Sequence, residues 1–432
     1  MLAKLKPFLL ASLMLIQAFA VHGQEAVQAL TATPEPKESL KFEVIVSRHG
    51  VRSPTGKTDQ LNQFSSQPWP VWSVPPGYLT EHGAKLMQLF GNFDRELLIK
   101  EGLLTGNGCR ETEHITILAD SDQRTRETGK AMAAGLMPGC TLETKALAEG
   151  TPDPLFHPLA AGTIRADKRL ATAALSGRIG NNPGGLVEAY RAQLQAMEQI
   201  LSGSGAPPKM SLFDLPSSIT PGKGDHLVEF RSPLGTAATM AENLLLEYTD
   251  GMAQVGWGRV DEQKLRELMQ LHTANADLER WTPYIARAQS APMLDAILKS
   301  MEQTISQKAV AGALGQTSDR LLILVGHDTN LTNISGALGL SWLIDGRRDD
   351  TPPGSALVFE LWQNGSSSKY SVRLFFTAQT LDEMRNTVPL TLEHPPERVP
   401  VFVPGCSRAD GSCDWDVFQS LMQKAIASEI NQ

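Results

Sequence analysis

The hydrophobic positions of the chain fall into short apolar runs separated by longer amphipathic stretches. The runs contain many β-branched residues and are bounded by polar segments, which predicts buried strands. The stretches between them repeat their apolar residues every three or four positions, as helices do, for example over 124–137 and 186–201. Strands far apart in sequence with helices between them predict an α/β fold. The predicted strands lie at 42–46, 114–119, 321–325, 356–361 and 370–376.

Two further helices are predicted in the last third of the chain. Apolar residues stand at every fourth position from 293 to 301, with Ser290 as the expected N-cap and Pro292 in the first turn. The pattern over 415–426 predicts a last amphipathic helix.

The strand-like runs are unevenly distributed, and this predicts the domain organisation. The stretch 161–285 is mostly helical in pattern, and we interpret it as an insertion that caps the core. A second insertion is expected at 57–108, which is too long for a simple loop. The α/β core is then expected from three segments, 24–56, 109–160 and 286–432.

The first 23 residues have the features of a cleavable signal peptide. Lys4 and Lys6 precede an apolar run over 8–20, and small residues follow it. The run is too short to span a bilayer comfortably, and no later segment is apolar enough to be a membrane span. We therefore expect export as a soluble protein.

The net charge restricts the partners of the chain. It is −8 at pH 7, and removal of the two lysines in the signal peptide makes it more negative. An acidic surface argues against nucleic acid or an anionic membrane as partner. An anionic substrate would have to be attracted by a local cluster of basic side chains.

Four cysteines suit an oxidising compartment, and three disulfide pairings are possible. Proximity in sequence favours Cys406–Cys413, which leaves Cys109–Cys140. A zinc site is the alternative use of these residues, but the spacing contains no CxxC pair.

The first motif that carries chemistry follows the apolar run at 42–46. There His49 stands between Arg48 and Arg52, in Arg-His-Gly-x-Arg-x-Pro. An imidazole at a strand end can attack phosphorus while guanidinium groups hold the phosphate oxygens in bidentate contacts. Ordinary surface charges at a strand end are the alternative interpretation.

Two other motifs also follow predicted strands. In Gly-His-Asp-Thr-Asn at 326–330, His327 can donate to a phosphate oxygen and Asp328 can protonate a leaving oxygen. Arg124, after the strand ending at Ala119, offers a third guanidinium. Ligands of open α/β sheets bind outside the carboxyl ends of the strands, so we expect the three motifs to meet in one crevice.

With these motifs the chain resembles the histidine acid phosphatase family, branch 2 of the histidine phosphatase superfamily, and within it the Gram-negative periplasmic phytases and acid phosphatases. The resemblance spans nearly the whole mature chain. It implies a phosphoglycerate-mutase-like core, with a mixed, mainly parallel sheet flanked by helices and an inserted helical cap. The matching segments are 48–55, 122–129, 256–259 and 326–330.

The resemblance also implies a role for each site residue. His49 would be the nucleophile that forms a phosphohistidine, and Asp328 would protonate the leaving oxygen. Asp120 would contact the floor of the pocket. No cofactor and no metal is implied, and a monomer is expected. The substrate-binding residues would be Arg48, Arg52, Thr55, Arg124, Glu242, His327 and Thr329.

The expected activity is an acid phosphomonoesterase, because Asp328 must be protonated and His49 neutral for the reaction. Phytate is the leading substrate. Gly56 and Gln289 stand where phytases of this type carry pocket cations, so a glucose-1-phosphatase or a broad acid phosphatase is the alternative. A phosphate-ester binding protein without catalysis is the alternative from another class.

Overall fold

All five predicted strands pair in one mixed sheet. The computed structural model describes residues 38–56, 58–204, 207–365, 367 and 369–427, so the predicted signal peptide at 1–23 lies outside the described residues. The strands are β1 (Ser39–Arg48), β2 (Ile115–Ala119), β3 (Thr144–Lys145), β4 (Ser218–Pro221), β5 (Val228–Arg231), β6 (Leu321–Gly326), β7 (Leu343–Ile344), β8 (Arg347–Arg348), β9 (Ala356–Gln363), β10 (Tyr370–Ala378), β11 (Glu397–Pro400) and β12 (Cys413–Asp414).

Helices separate the strands along the chain, as the periodicity predicts. They are α1 (Glu81–Lys100), α2 (Gln123–Leu136), α3 (Lys168–Arg178), α4 (Gly185–Ala189), α5 (Arg191–Ser202), α6 (Pro233–Thr249), α7 (Glu262–Glu279), α8 (Pro283–Ser306), α9 (Asp328–Leu338), α10 (Leu381–Asn386) and α11 (Trp415–Ala427). Short 3-10 helices cover Thr58–Gln63, Gly108–His114, Leu212–Asp214 and Val255–Gly258.

The main sheet has eight strands in the order β11-β10-β9-β1-β6-β2-β3, with β12 paired to β10. Pairing is parallel from β1 through β6 and β2 to β3, and antiparallel from β1 through β9 and β10 to β11. The predicted mixed α/β sheet is confirmed. Its antiparallel half arises because β9 and β10 follow each other through a short connection and pair as a hairpin.

Alternate residues of β1 pack into two apolar layers, one on each face of the sheet. Val44 and Val46 belong to the layer that contains residues of α8, α9 and α11. Ile45 belongs to the opposite layer, with residues of α1 and α2. Helices therefore cover both faces, which explains why the strands are continuous apolar runs.

The parallel register brings three strand ends to the same edge. Arg48 at the end of β1 is paired with Gly326 at the end of β6, and Ala119 at the end of β2 is paired with Val325. The residues that follow these ends therefore emerge side by side, as the sequence predicts.

The predicted start of the helix around 293–301 is wrong. The helix α8 begins at Pro283, with Thr282 as N-cap, and Pro292 lies inside it. Ser290 is an interior residue whose hydroxyl donates to the Ala286 carbonyl at 2.7 Å. The first two turns form because Pro283 suits the first helical position and because Ile285 and Ala288 are buried in the apolar cluster of the insertion.

The stretch 161–285 contains α3 to α7 together with a hairpin that the sequence did not reveal, and its role as an inserted cap stays a prediction. That hairpin, β4–β5, forms a separate two-stranded sheet. Within the other predicted insertion, 57–108, the helix α1 contributes Phe90 and Phe93 to the apolar layer of the main sheet. We therefore propose that the second insertion is confined to 57–80.

Both disulfides favoured by the sequence are present. Cys109 pairs with Cys140 and Cys406 with Cys413, with Cα–Cα distances of 5.3 and 5.1 Å. Among the described residues, no helix has the length and apolar character needed to cross a membrane.

The carboxyl group of Asp94, which packs against the sheet, leads us to predict that the folded protein is more stable in acid than at neutral pH. Burial raises the pKa of Asp94 on α1 to about 7, although Arg398 opposes this. The unfolded chain releases this proton near pH 4, so the native state is penalised progressively as pH rises from there through about 7. We expect Asp94→Asn to reduce the loss of stability between pH 5 and pH 8 by about 2 kcal/mol. Urea unfolding at both pH values measures this.

The matched control is Glu143→Gln, which changes an exposed carboxylate. It should leave the pH dependence of unfolding unchanged. Equal pH dependence in the wild type and in Asp94→Asn would contradict the prediction.

Candidate active site

The end of β1 fixes the orientation of the candidate nucleophile. The backbone N–H of His49 donates to Gly326 at 2.9 Å, and that of Arg48 donates to Ser355 at 2.8 Å. The Nδ1 atom of His49 lies 2.8 Å from the Gly50 carbonyl, which can only accept. Nδ1 must therefore carry the hydrogen, and Nε2 keeps the lone pair that a nucleophile needs.

The surroundings of His49 also keep its imidazole neutral. Burial lowers the pKa of His49 well below its usual value, and Arg124, Arg48 and Arg52 lower it further. A neutral imidazole is the reactive form, so this site retains a nucleophile in acid.

The glycines of the two motifs allow close packing at the strand ends. A Cβ on Gly50 would lie 3.0 Å from the Gly83 carbonyl, and a Cβ on Gly326 would lie 2.5 Å from the Asn330 side-chain oxygen. That Asn330 oxygen accepts from the backbone N–H of His327 at 2.9 Å. Glycine is needed at both motif positions because β1, α1 and α9 pack too closely there to leave room for a Cβ.

Two arginines lie beside His49 and share a carboxylate. Arg48 is fully buried, donates to the Thr351 carbonyl at 2.5 Å and pairs with Glu242 of α6. An Nη atom of Arg52 lies 3.5 Å from the same carboxylate oxygen. Burial lowers the pKa of Arg52 to about 10 despite Glu242, so this guanidinium stays charged in acid.

The third guanidinium comes from the first turn of α2. Arg124 lies 2.5 Å from an oxygen of Asp122 and 3.4 Å from Nδ1 of His327. The Nε atoms of Arg48, Arg52 and Arg124 are buried and have no hydrogen-bond partner among the described residues. Guanidinium groups clustered beside a histidine in this way are suited to hold an anion with several oxygens.

His327 connects β6 to α9 and is held by an acid at the end of β2. Its Nε2 atom donates to Asp120 at 2.7 Å, and its ring centroid lies 5.5 Å from that of His49. Asp120 is fully buried; burial raises its pKa, but hydrogen bonds from His157 and His327 outweigh this and lower it. The carboxylate is therefore ionised and fixes the orientation of His327.

Asp328 differs from the expectation in its protonation state. It is the first residue of α9 and pairs with Arg280, the C-cap of α7. Burial raises the pKa of Asp328, but Arg280, Arg48 and His272 together bring it well below its usual value. The carboxyl is therefore ionised before substrate binds, so the proton that the sequence predicts for it must arrive during the reaction. The sequence did not reveal Arg280 or His272.

The predicted site residues meet at one cavity of ≈ 630 Å³, with Arg48 buried behind Glu242. Gly56 and Gln289 also line it, and Gln289 donates its side-chain amide to the Asp225 carbonyl at 2.8 Å. The predicted residues along its wall are His49, Arg52, Thr55, Arg124, Glu242, His327, Asp328 and Thr329.

Several lining residues were not singled out from the sequence. Arg280 and His272 belong to α7 and its C-cap, and His157 follows a Pro-Leu-Phe segment that carries no strand signal. Among the described residues, Asp120, His157 and His327 bring three donor atoms within 4.8 Å of one another, a set that could hold a metal ion. Here the Oδ2 atom of Asp120 instead accepts hydrogen bonds from the Nε2 atoms of both histidines, so these nitrogens act as donors.

Comparison with known proteins identifies the family. The model of the histidine phosphatase superfamily (branch 2) matches residues 39–200 and 244–377. Phytase AppA of Escherichia coli (strain K12) is 35% identical over 410 residues, which cover 92% of this chain and 94% of that protein. The glucose-1-phosphatase of Salmonella typhimurium is 29% identical over 428 residues, covering 94% and 97%.

Solved structures give the same result. The structure of Hafnia alvei phytase in complex with tartrate has a TM-score of 0.84 and 36% identity, covering 90% of this chain and 97% of that one. The phytase from Citrobacter braakii has a TM-score of 0.81 and 34% identity, covering 90% and 98%. The chain belongs to branch 2 of the histidine phosphatase superfamily.

Proposed function

We propose that the chain is an acid phosphomonoesterase that works through a phosphohistidine, with phytate as its substrate, and that it acts as a monomer in the periplasm after loss of residues 1–23. The observation that carries the proposal is the combination at one cavity of a neutral His49 with the guanidinium groups of Arg52 and Arg124, and with that of Arg48 buried beside them against Glu242. A lone pair facing clustered donors is what transfer of a phosphoryl group requires.

In the first step, the Nε2 lone pair of His49 attacks phosphorus. An N–P bond forms as the bond from phosphorus to the ester oxygen breaks, and the leaving oxygen takes a proton. Arg52 and Arg124 on the cavity wall, with Arg48 behind Glu242, stabilise the charge on the equatorial oxygens, and each is already oriented by a hydrogen bond or ion pair.

The proton for the leaving oxygen enters with the substrate. A phosphate monoester has a second pKa near 6, so it binds mainly as a monoanion in acid. Its charge disfavours ionisation of Asp328 and offers Arg280 a second acceptor, and both effects raise the pKa of Asp328 in the complex. Asp328 then passes the proton to the leaving alcohol.

In the second step, water attacks the phosphorus atom of phosphohistidine. The N–P bond breaks, Asp328 accepts a proton from the water and returns it to the departing phosphate, and inorganic phosphate leaves as the monoanion. His49 recovers its lone pair and Asp328 its ionised state, so the cycle balances without a metal or a cofactor.

The size of the cavity and the relatives favour phytate. A volume of ≈ 630 Å³ lies in the range of sites that enclose a whole small molecule and is large for a monosaccharide phosphate. The similar proteins with 34–36% identity include phytases from three bacteria. The second candidate is a glucose-1-phosphatase, which the uncharged Gly56 and Gln289 on the cavity wall favour.

Phosphate release from phytate, glucose 1-phosphate and p-nitrophenyl phosphate at pH 4.5 in the presence of EDTA tests the proposal. We expect all three to be hydrolysed, with the highest kcat/KM for phytate. A higher kcat/KM for glucose 1-phosphate would replace the substrate assignment by the second candidate. No turnover of any ester would contradict the enzymatic function and would favour the alternative, a phosphate-ester binding protein.

A further inference from the structure

A histidine outside the family motifs lies between two carboxylates on the cavity wall. The Nε2 atom of His157 is 3.0 Å from Oδ2 of Asp120, and its Nδ1 atom is 2.7 Å from Oδ2 of Asp225. The Oδ2 atom of Asp120 is also the acceptor for His327. Four side chains therefore form a continuous chain of hydrogen bonds, Asp225–His157–Asp120–His327.

The geometry makes His157 a cation. Ionised carboxylates only accept hydrogen bonds, so both ring nitrogens must carry hydrogen. Burial lowers the pKa of His157, but the hydrogen bonds to Asp120 and Asp225 outweigh this and raise it to about 10. His157 is thus positively charged throughout the pH range in which an acid phosphatase works.

Two further hydrogen bonds hold Asp225, the outer end of this hydrogen-bonded chain. Asp225 lies in the connection between β4 and β5, and its Oδ1 atom accepts from the Ala160 backbone N–H at 3.0 Å. The amide of Gln289 donates to the Asp225 carbonyl at 2.8 Å. Gln289 therefore fixes the backbone of Asp225, whose side chain is hydrogen-bonded to His157.

We propose that His157 and Asp225 are positioning residues that restrict activity to acid pH, because the His157 cation competes with His327 for the charge of Asp120. The inference rests on the proposed function. Both imidazoles donate to the same atom, Oδ2 of Asp120. Each hydrogen bond therefore weakens the interaction of the carboxylate with the other imidazole.

The competition matters because His327 needs two protons to bind phosphate. Its Nε2–H is committed to Asp120, and Nδ1 faces Arg124 at 3.4 Å. To donate from Nδ1 to a phosphate oxygen, the ring must become an imidazolium. Any group that disfavours this second proton therefore makes phosphate binding fail at a lower pH.

The pKa of His327 depends on the charged groups that surround it. Burial lowers its pKa, Asp120 raises it, and Arg124 and His157 lower it. Asp122 contributes a carboxylate oxygen 3.8 Å from Nε2, and the neutral His49 ring lies beside it. His157 itself faces Asp120, Asp225 and the nearby Asp153. Of the cations that lower the pKa of His327, His157 is the one outside the predicted phosphate contacts.

The experiment uses His157→Gln in the full chain. Glutamine keeps an N–H donor for Asp120 and removes the charge, so we expect the alkaline limb of the pH profile of kcat/KM, which reports the free enzyme, to move up by about 0.5–1 pH unit. Asp225→Asn should shift it in the same direction by less, because His157 then loses one of its two carboxylates. The control is His394→Asn, which changes an exposed histidine that does not line the cavity and should not move the limb.

A direct readout accompanies the kinetics. Titration of the His327 ring by NMR with 13C-labelled histidine should give a higher pKa in His157→Gln than in the wild type. An unchanged limb together with an unchanged His327 titration would overturn the inference. Activity lost equally at every pH would also overturn it, since that is the result of a merely structural role. Failure of the proposed function is a separate outcome, seen as turnover by His49→Ala.

Discussion

Replacing His49 by alanine is expected to lower kcat by at least ~10⁴-fold for every phosphate ester, because the attacking atom is removed. Binding should survive the change. Arg48, Arg52 and Arg124 are held by Thr351, Glu242, Ser53 and Asp122, and none of their contacts uses His49. We therefore expect inorganic phosphate to bind within a few-fold of the wild-type affinity by calorimetry.

The control for this variant is His394→Ala, an exposed histidine, which should keep wild-type turnover. An unchanged unfolding midpoint in urea would show that the His49 variant is folded. If His49→Ala retained turnover within tenfold of the wild type, water would be attacking the ester directly and the phosphohistidine mechanism would be wrong.

The second large effect is expected for Asp328→Asn, and it should depend on the leaving group. A sugar or inositol alkoxide needs a proton as it leaves, whereas p-nitrophenolate is stable without one. We expect kcat to fall by about 10²–10³-fold for phytate or glucose 1-phosphate. For p-nitrophenyl phosphate the loss in the first step should be less than about tenfold.

Single-turnover measurements with the two classes of ester separate the first step from hydrolysis of the intermediate. Equal losses for alkyl and aryl esters would show that Asp328 acts through charge alone. The neutral amide in Asp328→Asn cannot pair with Arg280 as the carboxylate does, so phosphate affinity is measured beside kcat to detect a binding effect.

The sequence was sufficient to predict the elements that depend on local pattern. The apolar runs at 42–46 and 321–325 are interior strands of the sheet, buried on both faces, so their hydrophobicity is continuous and easily recognised. Because these strands are parallel neighbours, the motifs that follow them had to meet at one edge. The placement of His49 beside His327 follows from that topology.

Features that depend on contacts between distant segments could not be predicted. Arg280 ends a helix whose pattern gives no sign that its last side chain pairs with Asp328. His157 precedes a proline in a loop, and its partners are 37 and 68 residues away in sequence. The start of α8 was missed because its first turns are buried against the insertion, where a small and polar sequence gives little periodicity.

The pKa of Asp328 illustrates the same limit at the level of chemistry. A carboxyl group that is to donate a proton was expected to carry one. The structure surrounds it with Arg280, Arg48 and His272, which only the fold brings together. The proton is therefore assigned to the bound substrate, and this changes the expected origin of the acid optimum.

The central claim is the covalent intermediate on His49. The most direct test is to mix the enzyme with a phosphate ester at pH 4.5, quench the reaction in alkali within milliseconds and locate the added phosphoryl group by mass spectrometry of the peptides. The account predicts phosphohistidine at His49, in an amount that rises and decays with turnover. Turnover with no phosphorylated residue, or with the phosphoryl group on another side chain, would contradict it.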